Sequence, residues 1–214
     1  RMTELPQGSV IGILGGGQLG RMLSVAAGRL GYRCHIYEPG TAPAGDVAHT
    51  VTTAPYEDEA ALRAFADSVD VITYEFENVP TSALDLLESL KPIRPNRRAL
   101  AISQDRISEK SFLNDLGLQT APWAAVNSET DLRAAADQLG LPAILKTTRL
   151  GYDGKGQVKL DDETAIAAAW ASMNNDACVL EGFVAFDREV SVIAARGLDG
   201  SVACFDPGEN IHRE

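Results

Sequence analysis

The chain has 214 residues, 45% of them hydrophobic, which is enough to form one large domain or two small ones around a real core. Its net charge of −11 and its lack of a basic run argue against binding to nucleic acid, although a local cluster of donors could still bind an anionic small molecule. It contains no apolar run of the ~18 residues that a membrane span needs, and its first residues show no signal-peptide pattern. We expect a cytoplasmic protein with three reduced core thiols: Cys34, Cys178 and Cys204.

Strands and helices alternate through the first ninety residues. The predicted strands are 9–14, 33–37, 49–53 and 70–74, and the predicted helices are 18–30, 57–68 and 80–90. One face of the first helix is apolar and consists of Leu19, Met22, Leu23, Ala26 and Leu30. Alternation with short connections predicts a parallel, doubly wound sheet.

The pattern changes at Pro92 and Pro95, so we expect the first domain to end near residue 100. The predicted helices beyond it are 103–116, 128–139 and 161–173. The predicted strands begin at 121 and then cover 143–147, 157–160, 177–181, 189–195 and 201–205. This half of the chain is typical of a mixed α+β unit, unlike the first half.

The first glycine loop, residues 15–20, carries Gly15, Gly17 and Gly20 in the spacing G-x-G-x-x-G between a predicted strand and helix. Three interpretations are open: a dinucleotide site, a site for another anion at the helix N-terminus, and a structural turn. Glu38 stands near the position of a ribose-binding acid. It also precedes Pro39-Gly40, so it could equally cap a turn.

The second glycine loop, residues 146–157, begins at a lysine that ends a predicted strand and returns as another strand. Its three glycines and the cations Arg149 and Lys155 favour a hairpin that binds phosphates, the alternative being a plain mobile hairpin. Walker A spacing is absent. Further on, the apolar strand that ends in Glu181-Gly182 could read an adenine edge, and Glu189 could bind ribose hydroxyls.

Seven segments in this order resemble the N5-carboxyaminoimidazole ribonucleotide synthase family of the ATP-grasp superfamily. They are GGGQLGRM (15–22), YEFENVP (74–80), QDR with Lys110 (104–110), TAPW (120–123), GYDGKGQ (151–157), EVS (189–191) and ENIH (209–212). The resemblance implies an α/β ATP-grasp fragment: a Rossmann-like preATP-grasp domain over 1–102, a lid over 103–183, and the beginning of the C-terminal lobe over 184–214.

The family reaction implied by this resemblance is ATP-dependent carboxylation. ATP phosphorylates bicarbonate to carboxyphosphate, and the amine of 5-aminoimidazole ribonucleotide (AIR) then takes the carboxyl group, giving N5-carboxyaminoimidazole ribonucleotide, ADP and phosphate in purine biosynthesis. The resemblance also implies Mg²⁺, a homodimer, and a partner mutase that rearranges the product.

Site residues follow from the matching motifs. For ATP, the resemblance implies Arg106 and Lys146 on the phosphates, Glu189 on the ribose and His212 near the phosphates. It adds a cover over the phosphates (Gly151, Tyr152, Asp153, Gly154, Lys155, Gly156, Gln157) and an adenine site (Glu181, Gly182, Phe183, Val184). For AIR, it implies Gly17, Gln18, Leu19, Gly20, Glu75, Glu77 and Asn78.

The expected catalytic residues are Tyr152, Asp153 and His212. Asp153 would accept or orient the proton of the AIR amine, the alternative being an aspartate that only shapes the turn. Glu75, Glu77 and Asn78 also have a plain alternative, a loop stabilised by Asn78 and Pro80.

This chain departs from the family pattern in two respects. The family usually has an aromatic-Pro-apolar run before Glu-Asn-x-His, where this chain has Phe205-Asp206-Pro207-Gly208. It also continues well beyond the position of Glu214, with the Mg²⁺ ligands and the grip on the AIR phosphate in that part. We therefore expect no metal site and no activity in these 214 residues alone.

Three rival functions remain. One is another ATP-grasp carboxylate–amine ligase of purine metabolism. The second is an NAD(P)-dependent oxidoreductase that uses the first domain, and the third is a non-catalytic nucleotide-binding module.

Overall fold

The first sheet is parallel, as its sequence predicts. A computed structural model describes residues 4–151 and 156–211 of the chain. The strands are β1 (Val10–Leu14), β2 (Arg33–Tyr37), β3 (Thr50–Thr52) and β4 (Val71–Tyr74), in the spatial order β3-β2-β1-β4. The carboxyl ends of β1, β2 and β4 therefore meet at one edge of the sheet, which is where ligands collect in such folds.

Helices cover both faces of this sheet. They are α1 (Gln18–Arg29), α2 (Glu59–Asp67) and α3 (Thr81–Leu90). Ala27 of α1 packs with Ile13 and Ile36 on one face. Leu62 of α2 and Leu84 of α3 belong to the larger core cluster on the other face. This arrangement confirms the doubly wound architecture.

The apolar face of α1 is not its core face, contrary to the usual meaning of such a stripe. Leu19 and Met22 are 58% and 59% exposed, and Leu23 and Leu30 are exposed as well. The buried positions of the helix are instead small: Gly20, Ser24 and Ala27. A Cβ on Gly20 would lie 3.0 Å from the carbonyl oxygen of Gly15, so close packing against the preceding loop selects small residues on the inward side.

The helix expected over 103–116 corresponds to α5 (Arg106–Asp115), which begins three residues later and follows a separate short helix, α4 (Arg97–Ser103). The break has a local cause. Asp105 has an extended backbone, and its carboxylate accepts a hydrogen bond from the amide of Ser108 at 2.9 Å, which makes it the N-cap of a new helix.

The second sheet is antiparallel. Its strands are β5 (Trp123–Val126), β6 (Ala143–Thr147), β7 (Gln157–Leu160) and β8 (Cys178–Gly182), in the order β5-β8-β6-β7. Helices α6 (Glu129–Leu139) and α7 (Ile166–Ser172) pack on the face that carries Leu145 and Leu180. Side chains alternate along each strand, so the residues next to these leucines, among them Lys146 and Glu181, point to the opposite face of the sheet.

The remaining described residues form two small antiparallel pairs. The expected strand over 189–195 is divided into β9 (Glu189–Ser191) and β10 (Ala194–Arg196), which pair with β12 (Gly208–Asn210) and β11 (Val202–Cys204). Most of their side chains are exposed. Cys204 is among them, so the expectation of three core thiols is wrong at this position, whereas Cys34 and Cys178 are buried.

Within residues 4–151 and 156–211, no helix combines the length and the apolar character that a bilayer crossing requires.

Candidate functional site

The first glycine loop already holds two carboxylates. The amide of Gly16 donates to Glu38 Oε2 at 2.9 Å, and the amide of Gly17 donates to Glu75 Oε1 at 2.7 Å. Gly15 has a φ of +103°, and a Cβ there would lie 2.8 Å from Glu75 Oε1. Glycine at this position therefore allows both the left-handed backbone and the close approach of the carboxylate.

This geometry disfavours a dinucleotide at the loop. A pyrophosphate would compete with two internal carboxylates for the same helix N-terminal donors and would meet their negative charge. Glu38 also accepts a hydrogen bond from the amide of Gly40 at 2.9 Å, so it caps its own turn. Gln18 and Leu19 are exposed, and Gly17 is half-buried.

Glu181 lies between two lysines, Lys110 and Lys146, and we call these three residues the lysine–glutamate cluster. Lys146 Nζ is 2.7 Å from Glu181 Oε2, and Lys110 Nζ is 3.0 Å from Glu181 Oε1. The pairing of β6 with β8 sets Ile144 opposite Glu181, so Lys146 lies diagonally from Glu181 on the same face of the sheet. This face points away from α6 and α7 and receives Lys110 from α5.

The cluster carries one more positive than negative charge, although its side chains are only 10–19% exposed. Burial by itself would raise the pKa of Glu181. The hydrogen bonds and charges of Lys146 and Lys110 outweigh burial, and the pKa of the carboxyl group is lowered. Glu181 is therefore ionised at neutral pH, and the excess positive charge is available to an anionic ligand.

Arg106, expected on the phosphates, binds the beginning of the second glycine loop. Its Nε donates to the carbonyl of Thr147 at 3.2 Å, and its Nη2 donates to the carbonyl of Gly151 at 3.1 Å. Its backbone amide donates to Thr148 O at 2.9 Å. Arg106, the first residue of α5, thus binds this part of the loop through both its own backbone amide and its own side chain.

The far end of the same loop joins β7. Gly156 has a φ of +67°, and its carbonyl accepts a hydrogen bond from the amide of Thr147 at 2.8 Å. Gln157 is exposed and pairs with Lys146 in the register of β6 and β7. The hairpin expected from the sequence is therefore present at both of its described ends.

The expected adenine segment ends β8. The amides of Gly182 and Phe183 already donate to the carbonyls of Pro122 and Pro142, at 2.8 and 3.2 Å. These two amides are thus occupied by the protein. Phe183 and Val184 are 49% and 47% exposed, so apolar surface is available for a planar ring.

Glu189 belongs to the outermost pair of strands. Its Oε1 accepts a hydrogen bond from Asn210 Nδ2 at 2.9 Å, because β9 and β12 pair Glu189 with Asn210. The structure thus brings together segment 189–191 and residues 209–210 of the last segment. Five expected site residues lie outside the described residues: Tyr152, Asp153, Gly154, Lys155 and His212.

Residues 75–80, which we call the carboxylate loop, follow β4 at the carboxyl edge of the first sheet. Glu77 lines a polar cavity of about 180 Å³ together with Arg106 and Gly151. Glu109 also lines this cavity, and burial raises its pKa against the opposing effect of Arg106 and Lys110. Asn78 lines an adjacent cavity of about 340 Å³.

The described residues contain no group of three or more His, Cys, Asp or Glu side chains that could hold a metal ion.

Family models match nearly the whole chain. Residues 9–104 match a ribonucleotide synthetase preATP-grasp domain, and residues 111–214 match an ATP-grasp domain. The chain belongs to the ATP-grasp superfamily.

Several relatives of this ATP-grasp chain are named N5-carboxyaminoimidazole ribonucleotide synthase. The chain is 54% identical, over 99% of its length, to an N5-carboxyaminoimidazole ribonucleotide synthase from Brucella melitensis, of which it covers 59%. It superposes with a TM-score of 0.93 on an N5-carboxyaminoimidazole synthetase from Staphylococcus aureus complexed with ADP, at 38% identity, covering 98% of this chain and 56% of that one.

A third similar structure is an N5-carboxyaminoimidazole synthase from Aspergillus clavatus in complex with ADP and AIR. The TM-score is 0.86 at 25% identity, and the match covers 97% of this chain and 55% of that one. The ATP-grasp chain thus spans between half and two thirds of the length of these relatives.

Sequence reasoning quoted Lys110 and Gln104 only as parts of a family segment, and it gave Arg149 only as a cation of the phosphate-binding hairpin, so the contacts of these three residues were missed. Lys110 is four residues after Arg106, a spacing that puts both on one face of α5 and could have indicated a shared site. Gln104 and Arg149 bind each other across 45 positions of sequence. No local pattern indicates a contact between residues so far apart.

Proposed function

We propose that the full-length protein to which this chain belongs carboxylates AIR with bicarbonate at the expense of ATP. The products are N5-carboxyaminoimidazole ribonucleotide, ADP and phosphate, as in the named relatives. One observation carries the proposal: residues expected at both sites line one cavity, namely Arg106 and Gly151 from the ATP set and Glu77 from the AIR set. A labile acyl phosphate formed at one site would have a short path to an amine at the other.

For ATP, we propose Arg106, Lys146 and residues 151–157 at the phosphates. The lysine–glutamate cluster supports this role, because Lys110 remains paired with Glu181 when Lys146 turns towards a phosphate. The neutralising charge thus becomes available without leaving a buried carboxylate alone. We propose Glu181, Gly182, Phe183 and Val184 at the adenine, with Glu189 at the ribose and His212 near the phosphates.

For AIR, we propose the first glycine loop and the carboxylate loop. The residues are Gly17, Gln18, Leu19, Gly20, Glu75, Glu77 and Asn78. Glu75 connects the two loops through its hydrogen bond to Gly17, so both would move as one binding surface. We propose Tyr152 and Asp153 at the AIR amine, where Asp153 would accept or orient its proton.

Further proposals concern the whole protein. We propose the domain divisions 1–102, 103–183 and 184–214, with further residues of the full-length protein completing the third lobe and supplying the Mg²⁺ ligands. When bound, Mg²⁺ would neutralise phosphate charge. We also propose a cytoplasmic homodimer that works with a mutase acting on the N5-carboxy product.

The test is ADP release by the full-length protein with AIR and bicarbonate, each omitted in turn. We expect release only when both are present, and none from the 214-residue chain assayed alone. Release that another ribonucleotide amine stimulates equally well would indicate a different ATP-grasp ligase. ATP binding without any turnover would indicate a non-catalytic module.

The oxidoreductase alternative has its own test, titration of the full-length protein with NADH followed by nicotinamide fluorescence. We expect no saturable change, because Glu38 and Glu75 occupy the amides that a pyrophosphate would need. Saturable binding would contradict our interpretation of the first glycine loop.

A further inference from the structure

A buried amide side chain connects the second glycine loop to the carboxylate loop. Gln104, the residue after α4, is 2% exposed. Its Nε2 donates to the carbonyl of Val79 at 2.6 Å, and its Oε1 accepts a hydrogen bond from Arg149 Nη2. One side chain therefore holds main chain 25 positions before it and a cation 45 positions after it.

Glutamine suits this position chemically. The contact with Val79 needs a hydrogen-bond donor, because the partner atom is a carbonyl oxygen. The contact with Arg149 needs an acceptor, because a guanidinium group has only donors. The side-chain amide of glutamine supplies both from one planar group. Its burial makes each contact consequential, since an amide group that loses its partner away from water costs more than an ordinary hydrogen bond contributes.

Arg149 stands where the two proposed substrate sites meet. It lines the 180 Å³ cavity with Glu77 and Arg106, and it also lines the 340 Å³ cavity with Asn78 and Pro80. Residues 147–151 on its own side are held by Arg106. Displacement of these residues would thus withdraw the guanidinium from Gln104 and leave Gln104 Oε1 unsatisfied.

We propose that Gln104 and Arg149 are positioning residues that couple the carboxylate loop to residues 147–151, so that the order of the carboxylate loop depends on the contacts of these residues. This inference rests on the proposed function for its effect on catalysis. The link itself rests on the two hydrogen bonds of Gln104. Through these hydrogen bonds, contacts made by residues 147–151 favour the arrangement of Glu77 and Asn78 that would bind AIR.

The main test is Arg149→Met in the full-length protein. Arg149 is exposed, so its truncation leaves the core intact. Hydrogen–deuterium exchange should become about fivefold faster at the amides of residues 76–79, as expected for the loss of one hydrogen bond in a distant anchor. Amides of β2 in the same sheet should keep their rates.

Kinetics provide the second readout. In Arg149→Met we expect the KM for AIR to rise about fivefold and the KM for ATP to change less than twofold. Gln104→Met should act in the same direction, and the double variant should be no worse than Gln104→Met alone, because both substitutions break one chain of contacts. Gln138→Met, an exposed glutamine on α6, is the matched control and should leave both KM values unchanged.

The outcomes separate the two proposals. Unchanged exchange at residues 76–79 in Arg149→Met overturns the link, whatever the kinetics show. Faster exchange with equal changes in both KM values overturns its role in AIR binding. A wild-type protein without AIR-dependent ADP release would instead refute the proposed function, and the exchange experiment would still decide whether the link exists.

Discussion

The two glycine loops of this chain look alike in sequence and are held in opposite ways. In the first, the backbone donors are bound by carboxylates, with Gly16 on Glu38 and Gly17 on Glu75. In the second, the backbone acceptors are bound by a cation, because Arg106 holds the carbonyls of Thr147 and Gly151.

This difference shows that glycine spacing indicates where the backbone must bend, whereas the neighbouring charges decide which class of ligand can bind. Negative side chains surround the first loop, which suits a ligand that offers hydroxyl or amine donors. The lysine–glutamate cluster includes Lys146, the first residue of the second loop, and its excess positive charge suits phosphates. Substitutions that alter these charges should therefore affect the two loops differently.

The largest effect should come from Glu181→Gln, which leaves Lys110 and Lys146 without their shared carboxylate. We expect the free energy of unfolding to fall by about 3 kcal/mol, the lower end for a broken buried ion pair, because both ammonium groups keep some contact with water. Urea denaturation followed by tryptophan fluorescence is suitable, since Trp123 and Trp170, the two tryptophans of the chain, both belong to the second sheet unit.

The effect of Glu181→Gln should depend on pH. The lysines lower the pKa of Glu181 in the folded protein, so its stabilisation is present above the pKa of an unfolded glutamate and is lost as pH falls through the lowered folded value. Wild type and variant should thus converge in acid. The matched control is Glu129→Gln, in an exposed pair with Arg133, which should cost at most about 0.5 kcal/mol. Equal losses in both variants would contradict the importance of the buried cluster.

A smaller effect is expected from Gly15→Ala in the first loop. The new Cβ would lie 2.8 Å from Glu75 Oε1, and alanine would have to adopt a φ of +103°. We expect a loss of about 2 kcal/mol from backbone strain and displacement of the carboxylate. Scanning calorimetry of the full-length protein would measure the loss.

Gly28→Ala is the control for this substitution. Gly28 lies within α1, and a Cβ there would meet nothing within 4 Å. We expect it to be neutral or to stabilise by up to about 1 kcal/mol, because alanine is the better helix former. A destabilisation as large as that of Gly15→Ala would contradict our attribution of the Gly15→Ala loss to the local backbone and the contact with Glu75.

The sequence predicted the limits of strands better than it predicted which face of a helix is buried. The limits expected for 33–37 and 143–147 agree with β2 and β6, because short apolar runs are local signals. The exposed side of α1 was not predictable in this way. Its small inward residues are selected by the neighbouring loop, and local periodicity carries no information about that contact.

For the candidate site, the sequence indicated residue types but not which residues pair with each other. Lys146 and Glu181 were both expected at the ATP site, but their mutual ion pair spans 35 positions of sequence. Likewise, Glu75 was expected near AIR, and its contact with Gly17 spans 58 positions. Such contacts depend on the strand order of each sheet, which joins distant segments at one edge.

The smallest expected effects come from removing, one at a time, the two carboxylate contacts of the first loop. Glu75→Gln replaces a charge-assisted hydrogen bond to Gly17 by a neutral one, which should cost about 1 kcal/mol, or about a fivefold faster exchange of the Gly17 amide. Glu38→Gln should do the same to the Gly16 amide. Each variant is the control of the other, because the two carboxylates bind adjacent amides from different strand ends. If either substitution accelerated both amides equally, the loop would open as one unit, and the carboxylates would have no separate roles in preparing it for a ligand.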